Sequence, residues 1–324
     1  MSRTLIVGLG GTIAMAPGAE PGIVPKLTAE MLVAAVPQLR DHPGLEAMSF
    51  RLIPGAHLSF DDIDALADLI RTRAAEGVTG VVITQGTDTI EETAFALDCL
   101  LDLDIPVVVT GAMRNPSLPG ADGPANLLAA VTVATTKAAR GLGVLVVMND
   151  TIHSAQFVVK RHTTACDAFV SASTGPLGYL SEGDVQIGVR PVRRASICGP
   201  VSKRATVALF TLSLDDRGDL ITAALGAGFD GFVIAGVGGG HASAEVAEVL
   251  SQAATSIPVI LSSRAGAGHV LCRTYGFAGG EVDLIGKGLI PSGALGPVQA
   301  RVALILMLRR GKSQEDITSF FSAY

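Results

Sequence analysis

Ile83-Thr84-Gln85-Gly86-Thr87-Asp88-Thr89 closes the apolar run Gly80-Val81-Val82-Ile83 and opens a stretch with helical spacing. Near the N-terminus Thr4-Leu5-Ile6-Val7 leads in the same way into Gly10-Gly11-Thr12-Ile13. β-Branched residues favour a strand, and glycine lets the backbone turn tightly where the strand ends. Both segments therefore present a threonine at the carboxyl end of a strand, where open parallel sheets bind their ligands. Two such threonines, one beside an acid, point to a hydroxyl nucleophile rather than to a hydride-transfer or metal site.

The same rhythm continues outward. Strands are expected at residues 4–9, 49–54, 80–84, 106–110 and 143–148, and helices at 28–37, 60–76, 91–102 and 124–139. Ser59-Phe60-Asp61-Asp62 has the form of a capping box with Asp in the Glu position, and Thr89-Ile90-Glu91-Glu92 matches the box itself. Residues 150–203 break the rhythm with Thr, Ser, Gly and Pro, and read as loops, a hairpin and a linker. It then resumes with strands at 205–212, 231–236 and 257–262 and helices at 217–227, 243–255, 297–310 and 313–323. Alternation of this kind predicts an α/β fold of two domains. The larger has a mostly parallel sheet with helices on both faces, and the smaller has a parallel sheet. The expected boundaries are 1–190, a linker at 191–204, and 205–324.

A protein of 324 residues exceeds what one core usually serves. Its hydrophobic content is 48%, its charged content 17% and its mean hydropathy +0.47, so further apolar surface is expected to be covered in a homo-oligomer. The apolar run 302–308, boxed by Arg301 and Arg309-Arg310, is too short to span a membrane and reads as a buried helix. Net charge is −6 with both signs interspersed, which argues against a nucleic-acid partner. No secretory leader is evident, and Cys99, Cys166, Cys198 and Cys272 form no CxxC pair, as expected for reduced thiols in the cytoplasm.

Gly8-Leu9-Gly10-Gly11-Thr12-Ile13 fails as a dinucleotide fingerprint, because Ile13 stands in the third glycine slot and no amphipathic helix begins there. Residues 15–22 are a loop of Ala, Pro and Gly that suits a lid over a small pocket. A threonine hydroxyl needs a base or a polarising partner to attack. Asp88 adjoins Thr87, and Lys160 could be oriented by that acid to pull a proton from a hydroxyl or water. The plainer reading, that Thr87, Asp88 and Thr89 cap the following helix, demands the same residue types. His57, His241 and His269 are too scattered for a metal site. Gly236-Val237-Gly238-Gly239-Gly240-His241 is either a close approach to a ligand or a turn.

Together, Gly10-Gly11-Thr12-Ile13-Ala14, Thr84-Gln85-Gly86-Thr87-Asp88-Thr89, Gly111-Ala112-Met113-Arg114 and Ala121-Asp122-Gly123-Pro124-Ala125-Asn126-Leu127 resemble the bacterial-type L-asparaginase family. Val146-Val147-Met148-Asn149-Asp150, Pro176-Leu177-Gly178-Tyr179 and Ser262-Ser263-Arg264 extend the resemblance over essentially the whole sequence. It implies cofactor-free, metal-free hydrolysis of an amino-acid side-chain amide through a covalent acyl-enzyme, in a homotetramer of intimate dimers. By the same resemblance Thr12 is the nucleophile, and Thr87, Asp88 and Lys160 are the second threonine, acid and lysine. Gly86, Thr87 and Asp88 bind substrate, with Asp88 holding its α-amino group, and Glu281 is the acid supplied across a dimer interface.

Three positions depart from the family pattern. The lid tyrosine falls near Gly22, the substrate-binding Ser-Gln pair is Ala56-His57, and an asparagine of the second domain is His241. The expected activity is hydrolysis of L-asparagine to L-aspartate and ammonia. The alternatives are an amidase preferring glutamine or another small amide, and a non-catalytic amino-acid binder.

Overall fold

A computed structural model of the protein describes residues 3–17, 23–40, 42–193 and 196–324. They form two units, Met1–Ser196 and Ile197–Tyr324. In the first, the strands are β1 (Thr4–Gly8), β2 (Met15–Pro17), β3 (Ile23–Pro25), β4 (Leu45–Ser49), β5 (Gly80–Thr84), β6 (Val107–Thr110), β7 (Val144–Met148), β8 (Thr151–Ser154), β9 (Val159–Lys160), β10 (Phe169–Val170), β11 (Gly178–Ser181) and β12 (Asp184–Ile187). The helices are α1 (Ala29–Ala34), α2 (Pro37–Arg40), α3 (Phe60–Ala75), α4 (Ile90–Leu100) and α5 (Gly123–Thr135).

The main sheet has the order β12-β11-β8-β7-β6-β5-β1-β4, parallel from β7 to β4 and antiparallel beyond β7. Strands buried on both sides need apolar residues at every position. Ile6, Val82, Val108, Leu145 and Val147 face Leu127 and Ala130 of α5 and Leu32 of α1 in one core, and the alternate residues turn to the other face. From β1 the backbone crosses to β4 on one side and returns to β5 on the other. The crevice between the ends of β1 and β5 is thus the topological switch point, where such sheets bind ligands.

The second unit contains β13 (Val207–Thr211), α6 (Asp219–Gly226), β14 (Gly231–Gly236), α7 (Ala244–Ala254), β15 (Val259–Ser263), α8 (Glu281–Gly286), β16 (Ile290–Pro291), α9 (Pro297–Arg309) and α10 (Gln314–Ser322). Its four strands are parallel in sequence order. Phe232, Ile234 and Leu261 pack with Val246 and Leu250 of α7, while the apolar run 302–308 is buried within α9. Two α/β units, the larger mostly parallel and the smaller wholly so, agree with the expected fold class.

Several elements differ from the sequence reading. β4 lies at Leu45–Ser49 rather than at 49–54. Residues 50–53 nevertheless bond to the end of β1, through Phe50 N and Arg51 N to Gly8 O and Ile53 N to Leu9 O, which explains their strand-like composition. The helix expected at 28–37 is split into α1 and α2, because the residue before Pro37 is disfavoured in helical geometry. Residues 15–22 are not all loop, since β2 and β3 pair antiparallel. Gly22, at the lid-tyrosine position, lies outside the described residues. Residues 150–203 carry three strands of the main sheet, two of its hairpin turns having left-handed residues at Asn149 and Asp150 and at Glu182 and Gly183. No helix among the described residues is long and apolar enough to cross a membrane.

The turns after β1 and β5 touch backbone to backbone. A Cβ on Gly11, whose φ is +81°, would overlap the amide nitrogen and Cα of Gly86, and one on Gly86 would come within 3.1 Å of Gly55 N. The Gly11→Ala protein is therefore expected to lose more than about 4 kcal/mol in urea unfolding. Gly183→Ala, at φ +84° with open space around it, should lose only about 1 kcal/mol, the cost of left-handed backbone alone.

His153 on β8 is 3% exposed; Nδ1 meets Ser171 Oγ at 2.9 Å and Nε2 has no partner among the described residues. Burial lowers its pKa to about 4. The unfolded protein, with an ordinary histidine near 6.5, therefore binds the proton more readily, so this contribution to stability is complete above pH 6.5 and is lost as pH falls towards 4. Thermal melts between pH 7 and 4 should show a shallower decline for His153→Gln than for the parent protein.

Candidate active site

Three loops meet at the switch point, each ending in a short 3-10 turn: Thr12–Ala14 after β1, Gly55–His57 after β4, and Thr87–Thr89 after β5. Leu9 N bonds Thr84 O, so the first and third leave the sheet side by side. The backbone contact of Gly11 with Gly86 then sets Thr12 and Thr87 on neighbouring turns. Thr87 is buried and Thr12 half-buried, and the Thr12 hydroxyl has no hydrogen-bond partner among the described residues.

Lys160 reaches this point from far along the sequence. Its Nζ donates to Thr87 Oγ1 at 2.9 Å and to Asp88 Oδ1 at 3.1 Å. The Lys160 side chain is 17% exposed and that of Asp88 69%, so the ammonium is sheltered while the carboxylate faces solvent. β9 carries the lysine, and its pairing with β10 aligns Lys160 with Phe169. Glu91 Oε2 accepts the Lys160 backbone N–H at 2.8 Å. Burial raises the Glu91 pKa, only partly offset by that N–H and by the charges of Lys160 and Arg161. In the sequence Glu91 is an interior position of the capping pattern Thr89-Ile90-Glu91-Glu92; here it anchors the strand that delivers the lysine. An acid on a helix whose following residues are mostly buried was the available signal.

Thr89 also departs from its expected part. It forms no capping bond to α4, although Ser59 and Asp62 do form the expected capping box on α3. Instead Thr89 Oγ1 donates to Gly55 O at 3.1 Å and accepts from Gln85 Nε2 at 3.0 Å. This strap ties the Gly55–His57 turn to the Thr87–Thr89 turn. Ala56 and His57 are exposed on it. On the far side, Asn126 Nδ2 donates to Gly111 O at 3.0 Å, its Oδ1 accepts Asn149 N at 3.0 Å, and Asp122 accepts Met113 N and Arg114 N. These bonds clamp the loop after β6 to α5, a part the sequence reading missed.

His241 and Glu281 belong to the second unit. His241 Nε2 lies 3.0 Å from Glu281 Oε2, and Glu281 Oε1 accepts the N–H groups of Thr274 and Tyr275 at 2.7 Å each. Glu281 is fully buried. Burial acts to raise its pKa, but the donors of Tyr275 and Thr274 and the adjacent His241 outweigh that and hold it below the usual range. The His241 ring lies edge-on between Tyr275 and Phe277, with centroids at 5.0 and 5.4 Å. The short helix α8 that opens with Glu281 was absent from the sequence reading. No group of three metal-ligating side chains converges among the described residues.

The site thus joins a threonine hydroxyl without a partner to a second hydroxyl polarised by a lysine and flanked by an open carboxylate. Such a set can deliver a hydroxyl to a carbonyl and manage the proton. Residues 3–193 match the family described as "Asparaginase, N-terminal", and residues 206–321 match the "Glutaminase/Asparaginase C-terminal domain". The protein is 38% identical to L-asparaginase 2 of Escherichia coli, covering 98% of this sequence and 92% of that protein. It is 36% identical to a probable L-asparaginase of Deinococcus radiodurans, covering 99% and 98%. The crystal structure of a probable cytoplasmic L-asparaginase from Campylobacter jejuni superposes with a TM-score of 0.90 at 34% identity, covering both proteins completely. By sequence and by fold this protein belongs to the asparaginase family.

Proposed function

We propose that the protein hydrolyses the side-chain amide of L-asparagine to L-aspartate and ammonia through a threonine acyl-enzyme. The observation that carries this reading is the contact of Lys160 Nζ with both Thr87 and Asp88 beside the partnerless Thr12 hydroxyl. In this mechanism Asp88, one of whose carboxylate oxygens is left by Lys160, takes the substrate ammonium as a charge-assisted bond. The backbone of the turns at Gly86 and at Ala56 and His57 receives the α-carboxylate. Thr12 Oγ attacks the amide carbonyl, and main-chain donors near Thr87 stabilise the oxyanion. The C–N bond breaks, the nitrogen takes up the proton given up by the Thr12 hydroxyl and leaves as ammonia, and the acyl group stays on Thr12. A water molecule, its proton passed through Thr87 and Lys160, then attacks the ester and restores the threonine.

The family resemblance gives Glu281 the part of an acid lent to a neighbouring copy's pocket. We accordingly infer a homo-oligomer, a dimer or a dimer of dimers. We also infer a cytoplasmic enzyme, a reading supported by four free thiols; one relative, from Haemophilus influenzae, is described as a probable periplasmic L-asparaginase.

Ammonia release from L-asparagine, with L-glutamine as comparison, tests the reading. Thr12→Ala should lose activity by about a thousandfold or more while melting normally, and Thr12→Ser should retain part of it. Unchanged turnover by Thr12→Ala would overturn the nucleophile assignment. Lys160→Met should lower kcat by about a hundredfold or more, the scale of a lost proton-transfer group. Thr89→Val, which cuts the strap between the two turns, should raise KM about tenfold with a smaller change in kcat, and Thr89→Ser should restore it.

A further inference from the structure

An open depression of about 370 Å3 adjoins the threonine–lysine pair, lined by Asp88, Lys160, Arg161, His162 and Thr163. The mechanism above uses only the first two. Lys160 Nζ is committed to Thr87 and Asp88, whereas one Asp88 oxygen remains open to the depression. Arg161 and Thr163 are exposed, and neither side chain has a hydrogen bond or ion pair among the described residues.

His162 is held differently. Its Nδ1 accepts the backbone N–H groups of Thr164 at 3.1 Å and of Ala165 at 3.0 Å. A ring nitrogen that accepts two hydrogen bonds carries no proton, which assigns the ring proton to Nε2. The turn at 162–165 therefore holds the ring in place and leaves a positioned N–H donor at the edge of the depression.

The depression is thus divided by charge. A carboxylate stands beside Thr87, and a guanidinium, a fixed imidazole N–H and a hydroxyl follow along residues 161–163. Arg161, His162 and Thr163 directly follow Lys160 and line the same depression. A free amino acid bears its ammonium and carboxylate on the same carbon. A dipeptide separates them by one more peptide unit, and a space of this size exceeds the needs of a single small amino acid.

We propose that this depression is a subsite for the C-terminal carboxylate of a dipeptide whose first residue is asparagine. Asp88 holds the ammonium, Arg161 and His162 hold the carboxylate, and the asparagine side chain reaches the threonines. Water adds across the C–N bond of the side-chain amide, ammonia leaves and the peptide bond stays intact, giving the aspartyl dipeptide. The inference rests on the amidohydrolase reading and extends its substrate class.

The test compares L-asparagine, asparaginyl-alanine and the C-terminal amide of asparaginyl-alanine, following side-chain hydrolysis by mass spectrometry of the aspartyl products. The wild-type protein is expected to prefer the free acid to the amide by about tenfold or more in kcat/KM, the scale of a charge-assisted contact. Arg161→Gln, at an exposed side chain, should remove most of that preference, and Arg161→Gln with His162→Gln should abolish it. Turnover of L-asparagine should change less than about twofold in both, which also reports that the variants are folded. Hydrolysis of L-asparagine without hydrolysis of the dipeptide, or equal rates on acid and amide, overturns the subsite and leaves the asparagine reading intact. Acid-selective dipeptide hydrolysis without asparagine turnover supports the subsite and overturns the asparagine reading. Inactivity on all three overturns both.

Discussion

Everything at the site depends on two backbones approaching without side chains between them. Gly11 and Gly86 leave adjacent strands at the switch point, and a Cβ on Gly11 would overlap the Gly86 backbone. This contact brings together the turn that bears Thr12 and the turn that bears Thr87. Gly55 packs against the same spot from a third loop, and the Thr89 hydroxyl bonds across to it. Packed backbone transmits position with little slack, so the two turns and the hydroxyls they carry are held in fixed places.

Charge is held at different depths within each unit. Glu91 is largely buried and spends its acceptor on the Lys160 backbone, so it fixes the lysine's strand rather than its ammonium. Asp88 is open to solvent and contacts Nζ directly, which leaves capacity for a ligand. In the second unit Glu281 is fully buried yet keeps its charge favoured, because two backbone N–H groups and a histidine surround it. Hydrogen bonds to the charged form favour it in this way even where burial opposes it.

The places where the sequence reading slipped have physical causes. Thr89-Ile90-Glu91-Glu92 satisfies the pattern of a capping box, but local pattern does not reveal a carbonyl 34 residues away that competes for the hydroxyl. Residues 50–53 look like a strand because they do bond along the end of β1, while the paired strand itself begins earlier, at Leu45. β8, β11 and β12 are short and half-polar, so the sequence offered a hairpin among loops without showing that these strands extend the main sheet; their pairing, not their propensity, places them there.

Local sequence was sufficient for what local physics governs. Apolar strands alternating with helical stretches required a parallel α/β fold of two units, and glycines after β1 and β5 marked the strand ends where Thr12 and Thr87 stand. Thr12, Thr87 and Asp88 were legible because each lies within a few residues of such a turn. The resemblance named Lys160, but the contact of this amine with Thr87, 73 residues before it, is made only by the tertiary structure. The same holds for the Thr89 strap, the Asn126 clamp and the turn N–H groups that His162 Nδ1 accepts. Each is a hydrogen bond whose partner is chosen by backbone geometry after packing, and residue type alone names the donors without naming what they will face.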